Sequence, residues 1–148
     1  MTVLHGSCVA LGAQGVLIRG ASGSGKSDLA LRLIDGGGEL VADDYVEIGV
    51  EGSSAVAHAP EPLAGLLEVR GLGLMRLPYR PQAPVVLGVE LVERAQMERM
   101  PIPCLMDVAG IEVPSIRLFA FEASAAAKIR LYLKGAGGAE GDGAVHDI

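Results

Sequence analysis

Residues Gly20 to Ser27 read Gly-Ala-Ser-Gly-Ser-Gly-Lys-Ser, and no other feature restricts the fold of this chain as much. The pattern G-x-x-x-x-G-K-[ST] requires a glycine loop between a strand and a helix. Its glycines let successive backbone N–H groups point inward at one anion, and the helix that follows adds the positive end of its dipole. The flanks agree with this. Val16-Leu17-Ile18 runs as a strand straight into the loop, and Leu29, Ala30, Leu33 and Ile34 mark one face of a helix over residues 27–35 that Gly36-Gly37-Gly38 ends. A match of this kind arises by chance in such a chain on the order of once in a hundred. Lysine is scarce, occurring as Lys26, Lys128 and Lys134, so a lysine in the loop is not a by-product of abundance. In this pattern Gly20, Ala21, Ser22, Gly23, Ser24 and Gly25 cradle the phosphates of a nucleoside triphosphate. Lys26 reaches the β- and γ-phosphates, and the Ser27 hydroxyl coordinates magnesium.

Of the 148 residues, 50% are apolar, enough to bury one substantial core, so a single domain is expected. The net charge of −6 argues against nucleic-acid or anionic-membrane partners, which need clustered Lys and Arg. Cys8 and Cys104 lie in apolar stretches with no CxxC or Cys/His spacing, and read as small core residues in a reduced compartment. The N-terminus lacks the basic and apolar regions of a signal peptide, and no apolar run approaches the ~18 residues of a membrane span. A soluble cytoplasmic protein is the expectation.

Strands are predicted over residues 3–11 and 16–18, around the turn Gly12-Ala13-Gln14-Gly15. A short strand at 39–42 ends in Asp43-Asp44, and residues 45–50 pair with 55–59 through Glu51-Gly52-Ser53. Pro60 and Pro62 precede a helical turn at 63–67, followed by the charged, glycine-containing segment Glu68-Val69-Arg70-Gly71-Leu72-Gly73, which fits no regular element and reads as a functional loop. Further strands are expected at 85–92, 102–108 and 111–113, and an alanine-rich helix at 122–134. From Gly135 the chain is mostly Gly, Ala, Glu and Asp, a composition of disorder. The organisation expected is thus one catalytic domain, 1–134, and a disordered tail, 135–148.

The acids come next. Asp43 and Asp44 follow the loop-bearing strand and helix at a strand end, which in an open parallel arrangement places them beside the phosphates. Two carboxylates near an anionic ligand are costly unless they bind metal or accept a proton from an attacking hydroxyl; turn-forming aspartates are the plainer reading. Asp107 is a rival strand-end acid. His5, alone in an apolar strand, reads on spacing as a satisfied core histidine, and His58 and His146 carry no signal. Glu68 and Arg70, two apart, share a face if extended, and either hold metal and phosphate or form a surface ion pair.

Taken together, His5-Gly6, the glycine loop, Leu40-Val41-Ala42-Asp43-Asp44 and Leu67-Glu68-Val69-Arg70-Gly71-Leu72-Gly73 resemble the catalytic domain of bacterial HPr kinase/phosphorylase. That enzyme phosphorylates a serine of the phosphocarrier protein HPr and can reverse the reaction by phosphorolysis. The match spans roughly the first half of the chain, and its last segment is the family's own signature. The resemblance implies an α/β fold, a P-loop-containing mixed β-sheet with flanking helices of the HPr kinase and PEP carboxykinase kind, using ATP and Mg2+. It implies that Asp44 exchanges the serine proton with His5 as close partner, that Lys26 holds phosphates, that Ser27 and Glu68 bind magnesium, and that Arg70 lies in a segment both directions use. Asp43 is assigned to the metal beside them.

The resemblance also implies a homo-oligomer, a hexamer in the family, and a short form without the N-terminal domain of full-length members. In the C-terminal half the family carries a Gly-Arg-Asn-like segment and a Met-Asn-Phe-Arg helix that touch HPr. Here Val113-Pro114-Ser115-Ile116-Arg117 and Glu122-Ala123-Ser124-Ala125-Ala126-Ala127-Lys128 stand instead, with Arg117 the shifted counterpart of the arginine. A small-molecule P-loop kinase and a nucleotide-dependent sensor module are the alternatives. The first lacks an arginine-rich lid, and the second is disfavoured by intact Lys26, Ser27 and Asp44.

Overall fold

The computed structural model describes residues 1–135; the tail expected to be disordered lies outside the described residues, Gly135 excepted. The chain forms β1 (Thr2–His5), β2 (Ser7–Leu11), β3 (Gln14–Arg19), α1 (Lys26–Asp35), β4 (Glu39–Ala42), β5 (Tyr45–Glu51) and β6 (Ser54–His58). It continues with β7 (Leu66–Val69), β8 (Gly73–Arg76), β9 (Gln82–Leu91), β10 (Cys104–Val108), β11 (Ile111–Leu118) and α2 (Ala125–Lys134).

Nine strands make one mixed sheet in the order β1-β5-β6-β9-β3-β2-β4, with β11 beside β9 and β10 beside β11, while β7 and β8 form a separate hairpin. Strands β3, β9 and β11 run parallel, whereas β2 is antiparallel to both β3 and β4. The arrangement is therefore not the open parallel one the acids suggested. Strand β4 still points the same way as β3 and ends at the same sheet edge, because two antiparallel steps restore direction. Strand β9 serves two neighbours on one flank, β6 through residues 82–84 and β11 through residues 88–91.

Alternation divides the buried residues of β2 and β3 between two cores. Val9, Val16 and Ile18 pack with Leu29 and Leu33 of α1 and Ile129 and Leu133 of α2. Cys8, Ala10 and Leu17 pack with Val46, Ile48, Ala55, Ala57, Val108 and Val113, so the curl of the sheet closes this face and neither helix contributes. Burying each large aliphatic side chain contributes about 1.5–3 kcal/mol. The helices lock together end to side: Arg130 of α2 donates to the Leu33 carbonyl at 2.9 Å, covering the carboxyl end of α1. Gly36 makes the approach possible, since a Cβ there would lie 1.9 Å from the Arg130 guanidinium.

Four local expectations change. The strand over residues 3–11 breaks at Gly6, where the Ile18 carbonyl oxygen lies 2.7 Å from where a Cβ would be, and the chain passes from pairing β5 to pairing β3 and β4. The helical turn expected at 63–67 is instead a 3₁₀ turn, Glu61–Leu63, and Leu66 and Leu67 are already in β7. The segment that fitted no regular element is the β7–β8 hairpin, closed by Leu72 N–H donating to the Val69 carbonyl at 2.9 Å. Cys104, expected in the core, is exposed because β10 is an outer strand paired only with β11.

Candidate active site

The loop closes over its own lysine. Gly23 and Gly25 adopt φ of 80° and 102°, the left-handed region open to glycine without penalty, and Gly25 stands at the N-cap of α1. Lys26, only 8% exposed, donates to the carbonyls of Gly20 at 2.9 Å and Ala21 at 3.0 Å, two neutral acceptors for a full positive charge. The Ser24 hydroxyl is buried with no hydrogen-bond partner among the described residues. A sparsely compensated ammonium and a helix N-terminus both suit a phosphate.

The two aspartates after β4 are placed in opposite environments. Asp43 is 6% exposed and accepts from Ser7 Oγ at 2.7 Å, from Ser27 Oγ at 2.9 and 3.1 Å, and from the Glu68 amide at 3.4 Å. That single carboxylate ties β2, the first turn of α1 and β7 together. Asp44 sits at φ 71°, a left-handed conformation that aspartate adopts more readily than bulky residues. It turns its side chain, 61% exposed, toward His5 Nε2 at 3.1 Å. His5 is 45% exposed and no core residue: it ends β1 opposite Tyr45, whose ring lies 5.6 Å away.

A cavity of about 330 Å³ gathers His5, Ser7, Lys26, Ser27, Asp43, Asp44, Glu68 and Arg70 around the loop residues Ser22, Gly23 and Gly25. Glu68 and Arg70 make no ion pair with each other among the described residues. Both face the cavity from β7 and the turn after it. Arg117 is not brought there. It projects from β11 and its Nε donates to Glu90 Oε1 at 3.0 Å, a bond that raises the guanidinium above its ordinary value. Asp107 accepts from the Gly110 amide at 2.8 Å inside the β10–β11 turn, which makes it a turn residue and no rival metal anchor.

Among the described residues no three His, Cys, Asp or Glu side chains form a metal cage. Magnesium does not need one, since it binds through one or two carboxylates together with phosphate oxygens and water. Asp43 and Ser27, already in contact, have the right chemistry. Ser7 was not singled out by sequence; a lone hydroxyl opening the apolar run Ser7-Cys8-Val9-Ala10-Leu11 is the signal that would have found it.

The fold and the site define an α/β protein in which a glycine loop, a buried aspartate and an exposed one meet at the edge of a mixed sheet. Residues 1–120 match the family described as HPr Serine kinase C-terminal domain, and the chain belongs to that family. The HPr kinase/phosphorylase of Bordetella pertussis is 38% identical over 129 residues, covering 79% of this chain and 42% of that protein. The Bacillus subtilis protein of the same name is 49% identical over 77 residues, 51% of this chain and 25% of that one. The chain thus spans less than half the length of these curated relatives. The structure of the Hpr(Ser) kinase/phosphatase from Coxiella burnetii aligns with a TM-score of 0.81 at 25% identity, over 93% of this chain and 97% of that chain. The family resemblance and the expected mixed-sheet α/β fold both hold.

Proposed function

We propose that this chain is the catalytic part of an ATP-dependent protein-serine kinase acting on an HPr-type phosphocarrier protein, and that the same groups serve the reverse, phosphorolytic direction. One observation carries the reading: adjacent aspartates beside a glycine loop are given opposite tasks. Asp43, held by two hydroxyls and an amide, is fixed in place and suits a structural, metal-holding role. Asp44 has an exposed carboxylate with one partner, His5, and can meet the hydroxyl of an incoming protein.

In the forward direction the serine oxygen attacks the γ-phosphorus, the bond to the ADP oxygen breaks, and the serine proton passes to Asp44 while His5 orients that carboxylate. Lys26 exchanges its two loop carbonyls for phosphate oxygens. Ser27, Asp43 and Glu68 would hold magnesium, which when bound neutralises charge on the phosphate oxygens. Arg70 supplies a guanidinium to the transferred or attacking phosphate. We place the chain in the cytoplasm as a homo-oligomer without nucleic-acid partners. In support, no helix among the described residues is long and apolar enough to cross a membrane, Leu72 and Leu74 leave apolar surface exposed beside Arg70, and the net charge is −6.

The test is incubation with labelled ATP, magnesium and an HPr-type protein. Label on a serine of the acceptor is the expected result. Label on a small metabolite, or nucleotide binding without transfer, overturns the proposal.

A further inference from the structure

A second cavity, about 620 Å³, lies against the loop residues 21–24 and is walled by Leu91, Arg94, Gln96, Phe119 and Phe121. Its size falls within the range of small-ligand sites, roughly 300–1,000 Å³. It shares Ser22, Gly23 and Phe121 with the cavity that holds the acids, so the two cavities adjoin along the loop. Resting on the nucleotide reading above, we propose that this second cavity seats the nucleoside of the bound triphosphate, with its flat base stacked on the exposed Phe121 ring and Arg94 at the cavity wall beside it.

Direction comes first. The γ-phosphate and the acceptor belong with Asp44, Asp43 and Glu68, so the other end of the triphosphate must leave the loop on the opposite side, where this cavity begins. Composition comes second. The chain has two phenylalanines, and both stand here. Phe121 is 55% exposed, although a ring of that size is normally buried for its apolar area. The rings meet edge to face, 5.7 Å apart at 73°, and the Arg94 guanidinium lies 4.8 Å from the Phe119 ring centre. Aromatic faces with a stacked guanidinium are what a flat heteroaromatic base binds against.

The platform is also held rigid. Phe121 abuts Gly25 closely enough that a Cβ there would lie 2.9 Å from its ring. A reciprocal cap fixes the turn bearing Arg94, with the Glu93 amide donating to Gln96 Oε1 at 2.9 Å.

Calorimetric titration of the full chain with Mg-ATP and with Mg-tripolyphosphate tests this. The unmodified protein is expected to bind ATP at least about tenfold more tightly than tripolyphosphate, and Arg94→Ala and Phe121→Ala each to weaken ATP about tenfold while leaving tripolyphosphate within about twofold. Arg94 is exposed, so its variant keeps the test sound if removing Phe121 disturbs the loop. Tripolyphosphate bound as tightly as ATP, or equal weakening of both ligands by Arg94→Ala, overturns the nucleoside seat and leaves the phosphate loop standing. Failure of the unmodified chain to bind either ligand overturns the nucleotide reading and this inference with it.

Discussion

Residues 1–76 and residues 82–135 contribute to one sheet but supply different things to the site. The first stretch provides every residue lining the acid-bearing cavity except Phe121, from the ends of β1 and β4, the loop, and the β7–β8 hairpin. The second stretch builds the support behind the loop. Leu91 comes within 3.0 Å of where a Gly20 Cβ would be, Ala120 and Phe121 crowd Gly25, and Arg130 covers the end of α1. Acid chemistry and buttress are thus separated along the sequence, and substitutions in the two stretches should separate by readout, those at the acids and loop of the first acting on transfer and those in the second acting on folding, except at Arg94 and Phe121, which act on nucleoside binding.

The largest effect expected is at Asp44. Asn keeps the shape and tolerates the left-handed backbone at φ 71°, so Asp44→Asn should fold normally and bind Mg-ATP within about twofold of the unmodified chain, while transfer falls about 10²–10⁴-fold, the usual range for losing a general base. Near-normal turnover in a coupled kinase assay would show that the base assignment is wrong. Lys26→Ala should act on both quantities, each dropping at least about tenfold, because the ammonium stabilises bound phosphate as well as the transition state. A Lys26 variant that kept full ATP affinity would mean the loop amides alone hold the phosphates.

How far the sequence revealed this division follows from which constraints are local. The loop, α1, β4 and the pair Asp43-Asp44 could be placed because glycine spacing, helical periodicity and strand ends are short-range signals. The convergence of Glu68 and Arg70 on the loop came only through the family resemblance, since the hairpin that carries them joins no strand of the main sheet. The spacing of His5 reads as core, but its exposure depends on the break at Gly6, where the chain passes too close to the Ile18 carbonyl for any side chain, a contact remote in sequence. Ser7, Phe121 and Arg94 act through partners remote in sequence, Asp43, Gly25 and Phe119, and from segments with no motif. Arg117 lies beyond the strand expected at 111–113 and stands out only as the shifted counterpart of a family arginine; the structure extends β11 through it and pairs it with Glu90, outside the acid-bearing cavity.

The buttress can be tested without touching the chemistry. Ile129 is fully buried on α2, in the core that also holds Leu29 and Leu33 of α1. Ile129→Ala removes three carbons from a packed site and should lower unfolding free energy by about 2–5 kcal/mol in a urea titration. Transfer measured well below the melting temperature should remain within about twofold, since Ile129 lines neither cavity. A large fall in transfer at full folding would erase the separation between the two stretches, and α2 would then have to be counted as part of the site.

The smallest effect compares the cysteines, one in each stretch. Cys8 is completely buried in β2, and burial pushes its thiol up to about 12. The thiolate is the reactive form, so at pH 8 a pKa near 12 leaves roughly one Cys8 in ten thousand ionised, and the remaining barrier is physical access through a closed core. Cys104 is exposed at the start of β10, away from both cavities. Iodoacetamide at pH 8 should therefore add one label, at Cys104, with transfer unchanged. Between pH 7 and 9 Cys8 should stay protonated and silent, since its folded-state pKa lies above the whole range. In denaturant both thiols should react. Rapid labelling of Cys8 in the folded chain would mean that β2, which also carries Ser7 to Asp43, opens readily, and the acid-bearing stretch would then be the less rigid of the two.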